Sequence, residues 1–168
     1  MTRFTVTSDG RFSAPDALCR AALGKGGVKP EAGKVEGDGA TPLGIYVLRR
    51  VLYRTDRGAA PETTLPVRPI RPDDGWCDAP DDPAYNRPVR LPYPASCEEM
   101  TRADGLYDIV VVLSHNDDPP VPGRGSAIFL HCARPDYAPT EGCVALAKSD
   151  LEAVLKGAAP GDTLEIRR

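Results

Sequence analysis

The chain has 168 residues, 41% of them hydrophobic and 27% charged, with a formal net charge of −3. That is enough apolar material for one core in a single domain over 1–168, with no disulfide or metal staple needed for folding. Neither a basic run nor a nucleic-acid-reading motif is present, which argues against a nucleic-acid partner. No apolar stretch approaches the roughly 18–20 residues of a membrane span, so no membrane insertion is expected. The 16 glycines and 18 prolines point to a loop-rich, mainly β fold with a minor helical part. The N-terminal residues lack a basic segment followed by an apolar one. The sequence as it stands therefore reads as cytoplasmic; a chain from which a leader had been removed would read the same and act in the periplasm. Five cysteines without a Cys-x-x-Cys pair suggest free thiols in a reducing compartment.

Arg3–Thr7 alternates Phe4 and Val6 with polar residues, and Ser8-Asp9-Gly10 then returns the chain into 11–14, a hairpin pattern. Residues 17–23 (ALCRAAL) fit a short strand or a helical turn equally well. Residues 24–44 are rich in glycine and mixed charge and read as loop. Residues 45–53 (IYVLRRVLY) form a strong strand pattern of β-branched and aromatic residues. From about 54 to 104 prolines recur so often that sheet pairing should be blocked. Trp76, Tyr85 and Tyr93 in this stretch favour an ordered flap over disorder.

Residues 107–113 and 127–131 read as buried strands joined by a turn-rich connector over 116–125. Residues 149–156 read as a helix. Ser149 stands three residues before Glu152, a capping-box spacing, and Leu151, Val154 and Leu155 make an apolar stripe that Gly157 ends. Residues 163–167 alternate again as a closing strand.

The chemistry is concentrated in residues 131–146, HCARPDYAPTEGCVAL. A histidine at a strand end, followed after a polar loop by Gly-Cys, suits thiol acyl transfer. The thiolate attacks, the imidazole takes its proton, and the glycine permits a tight turn with free N–H groups. A catalytic cysteine of this kind is expected to have a low pKa and to outpace the other thiols with iodoacetamide at mildly acidic pH. His115 reads as a loop histidine, solvated or hydrogen-bonded, or as a second site residue. Cys19 falls in an apolar stretch and reads as core. Cys77 and Cys97 would pair if the compartment oxidised them. No cofactor motif occurs. Zinc is not expected, because tight ligand pairs are missing and adjacent His131 and Cys132 point to opposite faces of a strand.

Thr140-Glu141-Gly142-Cys143, with His131 upstream on an apolar strand, resembles the signature of the YkuD-like L,D-transpeptidase family. The run Thr41-Pro42-Leu43-Gly44-Ile45-Tyr46 is similar to that family's second motif, entering a core strand. The resemblance implies a β-sandwich with a C-terminal helix, residues 54–104 being a long proline-rich insertion. It also implies a cysteine acyl-enzyme acting on a peptidoglycan stem peptide or a soluble muropeptide. Cys143 would be the nucleophile and His131 its base, the imidazole oriented by a carbonyl of Cys132 or Ala133. The N–H groups of Gly142 and Cys143 would form the oxyanion hole. Arg134, Tyr137, Thr140, Arg124, Trp76 and Asn86 are candidate substrate contacts, with the segment around Trp76 as a lid.

The sequence departs from the family pattern at Glu141, where many members have histidine, and at Ala145, where many have arginine; the loop from His131 to Cys143 is also short. Release of D-alanine leaves a thioester, resolved by an amine in a transpeptidase or by water in an L,D-carboxypeptidase. A non-catalytic peptidoglycan-binding module is the competing reading from another class. The oligomeric state is not legible.

Overall fold

The structure, a computed structural model, describes residues Met1–Arg168. Thirteen strands and one α-helix follow in chain order: β1 (Arg3–Thr7), β2 (Arg11–Ala14), β3 (Ala17–Ala22), β4 (Val28–Pro30), β5 (Thr41–Tyr53), β6 (Val67–Pro69), β7 (Asp74–Cys77), β8 (Pro88–Arg90), β9 (Cys97–Glu99), β10 (Ile109–Leu113), β11 (Phe129–Cys132), β12 (Val144–Leu146), α1 (Lys148–Lys156) and β13 (Thr163–Arg167).

Strand β5 decides the architecture. Its first half pairs antiparallel with β13, from Gly44 opposite Ile166 to Val47 opposite Thr163. Its second half pairs antiparallel with β10, from Leu48 opposite Leu113 to Tyr53 opposite Ile109. The remaining pairings run β10–β11–β12–β3–β2–β1–β13, so the ring closes on β5. The expected sandwich is therefore a closed barrel. A strand of 13 residues is long enough to bend across both halves, and closure leaves no free edge in the ring. The β-rich expectation with a single C-terminal helix holds.

Side-chain alternation along these strands separates two cores. Val6, Leu48, Val51, Val111, Leu146 and Leu164 belong to the inner core, which α1 caps with Leu151, Val154 and Leu155. Leu52, Val110, Val112, Phe129, Trp76 and Met100 belong to an outer core. Strand β10 is buried on both faces, which explains its unbroken apolar sequence.

Several local expectations change. Residues 17–22 resolve as strand, since Phe12 and Ser13 of β2 pair with Cys19 and Leu18. Strand β5 starts at Thr41, four residues earlier than the apolar pattern suggests, because β4 pairs alongside the Thr-Pro-Leu segment. Helix α1 starts at Lys148 with Ala147 as its N-cap and no side-chain cap. Ser149 thus lies inside the first turn, and the capping box is not formed. Residues 54–104 are not an irregular insertion. They supply β6, paired to β5, and a separate sheet in which β7 lies between β8 and β9. The prolines are accommodated because these strands are short and β8 and β9 are edges, where a missing N–H costs no ladder bond.

The loop between β4 and β5 is organised by one carboxylate. Asp38 accepts from Lys34 Nζ at 2.6 Å, Lys29 Nζ at 3.2 Å, Val35 N–H at 3.0 Å and Ala40 N–H at 2.9 Å. Burial alone would raise its pKa, but these bonds hold it well below the usual carboxylate range. The Lys34 side chain is only 3% exposed. Asp38→Ala would strand that ammonium, and a loss of about 3–5 kcal/mol is expected in urea unfolding. Adding Lys34→Met should recover most of it; an unaltered midpoint in the single variant would show that the pair carries no such weight.

Candidate active site

Strand β11 delivers His131 and the loop before β12 delivers Cys143. The strands run parallel, with His131 opposite Ala145. Both side chains open into one cavity of about 370 Å³, whose lining also includes Glu98, Arg102, Tyr107 and Arg134.

The turn carrying Cys143 is built by close backbone approach. Gly142 has φ +137°, and a Cβ there would lie 2.9 Å from the Ala40 carbonyl oxygen. A Cβ on Gly24 would lie 2.2 Å from the Gly39 carbonyl oxygen and 3.0 Å from Gly142 Cα. Glycines from three segments therefore meet where no side chain fits. Thr140 ties the turn: its Oγ1 donates to the Cys143 carbonyl at 2.6 Å and accepts from Gly142 N–H at 3.1 Å. Thr41 accepts from Gly24 N–H at 2.8 Å, and the next residue, Lys25, donates its N–H to the Thr140 carbonyl at 2.7 Å, so the segment around Gly24 ties together the two sequence motifs, far apart in the chain.

The imidazole of His131 has Nδ1 2.8 Å from the Cys132 carbonyl oxygen. That contact places the proton on Nδ1 and leaves Nε2 as the lone-pair nitrogen. Tyr107 packs its ring against His131, centroids 5.4 Å apart at 68°, and its hydroxyl donates to Glu98 Oε1 at 3.0 Å. Burial pushes the His131 pKa down to about 4, only partly offset by the Cys132 carbonyl.

The Cys143 thiol rests within a pair of main-chain bonds. Sγ lies 3.1 Å from the Ala127 carbonyl oxygen, to which it donates, and accepts from Phe129 N–H at 3.3 Å. Burial pushes this thiol up to about 12, and the nearby Glu98 charge adds to the rise. Histidine and cysteine are both neutral at rest. Burial, with the Glu98 charge beside it, argues against the expected low-pKa cysteine, although the Phe129 N–H, Arg102 and Lys34 pull the other way.

The remaining expected site residues divide. Arg134 and Thr140 line the cavity, as do Cys132 and Ala133. Gly142 is at the turn, but its N–H is occupied by Thr140, which removes it from the expected oxyanion hole and leaves the Cys143 N–H as the candidate. Trp76 and Asn86 lie outside the lining. Trp76 Nε1 donates to Asn86 Oδ1 at 3.0 Å, and the indole packs edge-on against Phe129 at 4.9 Å. Asn86 also accepts from Ala127 N–H at 3.0 Å. Both support the backbone that holds Sγ and form no lid.

Tyr137 faces away from the cavity, its ring under the Arg20 guanidinium at 4.5 Å. Arg124 donates to the Ala32 carbonyl at 2.6 Å and is also remote. His115 is buried against Tyr46, with an unpartnered Nδ1; it is neither solvated nor at the cavity. Glu141 lies on the exposed rim of the cavity and pairs with Lys25 at 2.8 Å. Ala145 lines the cavity and is fully buried, so a long side chain there would fill the space beside His131.

The sequence pattern did not indicate Glu36, Asp78, Glu98, Arg102 or Tyr107, all cavity-lining. Burial raises the Glu98 carboxyl above its usual range, against the Tyr107 bond and the Arg102 charge; Asp78 and Glu36 add to the rise. Only the position of Tyr107 at the entry to an apolar strand offered a signal.

A family profile described as YkuD: L,D-transpeptidase catalytic domain matches residues 2–166. The chain belongs to that family. It aligns over 99% of its length with Mycobacterium tuberculosis L,D-transpeptidase 3 in complex with a faropenem-derived adduct, at 14% identity and TM-score 0.47. M. tuberculosis L,D-transpeptidase 1 gives 13% and 0.45, and an L,D-transpeptidase from M. smegmatis 12% and 0.44. The chain covers 60%, 62% and 58% of those three chains respectively. No curated protein matches it.

The resting protonation state is measurable. Iodoacetamide at pH 7 should label the half-buried Cys19 and Cys97 before Cys143. Labelling of Cys143 should then accelerate about tenfold per pH unit as the thiolate fraction grows. Peptide mapping that found Cys143 modified first at pH 6 would contradict a neutral, main-chain-bonded thiol.

Proposed function

We propose that this protein is a cysteine acyl-transferase of peptidoglycan tetrapeptide stems, an L,D-transpeptidase that releases D-alanine and passes through a thioester on Cys143. The observation that carries the reading is the shared cavity that Cys143 and His131 both line, in a chain matched to the family over residues 2–166.

In this mechanism the stem peptide enters between Arg134 and the wall carrying Glu98 and Tyr107. The scissile carbonyl approaches Sγ, and the thiol proton passes to His131 Nε2 as the carbon–sulfur bond forms. Separation of charge before the substrate arrives is disfavoured, because a thiol near 12 and an imidazole near 4 both resist ionising. The proposed route therefore couples proton transfer to attack. The developing oxyanion faces the Cys143 N–H. Collapse of the tetrahedral species breaks the carbon–nitrogen bond, and His131 returns the proton to the departing amine of D-alanine. An amine acceptor then takes the acyl group and frees the thiol. Arg134 supplies a guanidinium for a substrate carboxylate, and the Tyr107 ring keeps the imidazole from turning.

Mass spectrometry of a disaccharide-tetrapeptide incubated with the protein and a D-amino acid tests this. Exchange of terminal D-alanine is expected for the wild type and loss of all turnover for Cys143→Ala. A tripeptide product without acceptor incorporation would mean water resolves the thioester. No change in any stem peptide would favour a binding module. Because His131 must be neutral to act as base, kcat/KM should hold through pH 6.5 and fall only as pH drops through about 4. Tyr107→Phe keeps the ring and should stay within about threefold, whereas Tyr107→Ala should lower kcat by roughly 10–100-fold.

A further inference from the structure

The sheet of β7, β8 and β9 places two cysteines face to face. Cys77 on β7 lies in register opposite Cys97 on β9. The neighbouring Asp78 N–H donates to the Ser96 carbonyl at 3.1 Å, whereas the Cys77 N–H turns to the other strand and donates to Arg87 at 3.0 Å. Cys77 and Cys97 are thus a non-hydrogen-bonded antiparallel pair. In that class the Cα atoms stand about 4.5 Å apart with side chains on one face, inside the range of roughly 4.4–6.8 Å that disulfides span. Both thiols are free. Cys97 is half-buried and Cys77 fully buried, so a reagent reaches Cys97 first. Cys77 Sγ has the Asp82 carboxylate at 3.7 Å as an acceptor for its proton.

We infer that Cys77 and Cys97 are a disulfide-forming site, closed by exchange with a low-molecular-weight disulfide such as oxidised glutathione. The Cys97 thiolate attacks one sulfur of the reagent, forming a mixed disulfide and expelling one thiolate. Cys77 loses its proton and attacks Cys97 Sγ, forming the Cys77–Cys97 bond and expelling the second. Two protein thiols are oxidised, and one reagent disulfide is reduced to two thiols. The bond sits one residue from Asp78 and one from Glu98, both of which line the active-site cavity. It therefore pins the strands that carry this wall without touching Cys143.

The test is to incubate the folded protein in a glutathione redox buffer, quench with acid, alkylate under denaturation and map the peptides. Loss of two of the five thiols and recovery of a Cys77–Cys97 linked peptide are expected. The unfolding temperature should rise by several degrees, because the bond closes a loop in the unfolded chain. Burial and the adjacent Cys77 push the Cys97 thiol up to about 11, so closure should quicken about tenfold per pH unit between pH 7 and 10. Cys97→Ser and, separately, Cys77→Ala should each abolish the link and the thermal shift, while Cys143→Ala should leave both intact. Retention of five thiols at equilibrium, a glutathione adduct on Cys97 that never resolves, or linkage through another cysteine would each overturn the assignment.

Discussion

Backbone pairing along β5 is the constraint on which the molecule depends. The strand gives its first half to β13 and its second half to β10, converting a curled sheet into a ring. Everything catalytic hangs from that ring. Strand β10 aligns β11, β11 aligns β12, and the parallel register of the last two sets His131 and Cys143 at the same end of the barrel. A slip in β5 would move every later strand with it, since side chains alternate faces with a period of two.

The site itself works through main-chain groups more than through side-chain charge. A carbonyl orients the imidazole, a carbonyl and an N–H cradle the thiol, and glycines allow the loops to touch. Such contacts are stiff, because the backbone atoms belong to strands or to turns tied by Thr140 and Thr41. Burial of the two side chains opposes the charged forms of both the imidazole and the thiol. The Glu98 charge reinforces this by making a Cys143 thiolate costlier.

Much of this was legible in the sequence because it is local. The hairpin of β1 and β2, the apolar runs of β10 and β11, the closing strand and the His131 to Cys143 loop all carry their signal within a few residues. What was hidden is non-local. Three-residue strands such as β12 have too little pattern to stand out, and barrel closure depends on a second pairing of β5 that its own composition does not encode. Residues 54–104 read as irregular because prolines mask short edge strands. Trp76 and Asn86 are conspicuous residue types, yet burial beneath Phe129 gives them a supporting role. Glu98 reaches the cavity and Tyr107 only through the folding of that same segment. The thiol's high pKa is likewise a property of enclosure, which a motif cannot express.

The two cores lie on either side of one wall. The inner one is enclosed by the ring and sealed by α1, and it holds the barrel together. The outer one, with Trp76, Met100 and Phe129, includes Cys143 itself. The same strands own both layers: Leu52, Val110, Val112 and Phe129 of the barrel belong to the outer core, and Ile128, Cys132 and Val144 beside the cavity belong to the inner one. Persistence and chemistry therefore share their strands, and a change in either layer is felt on both sides of the wall.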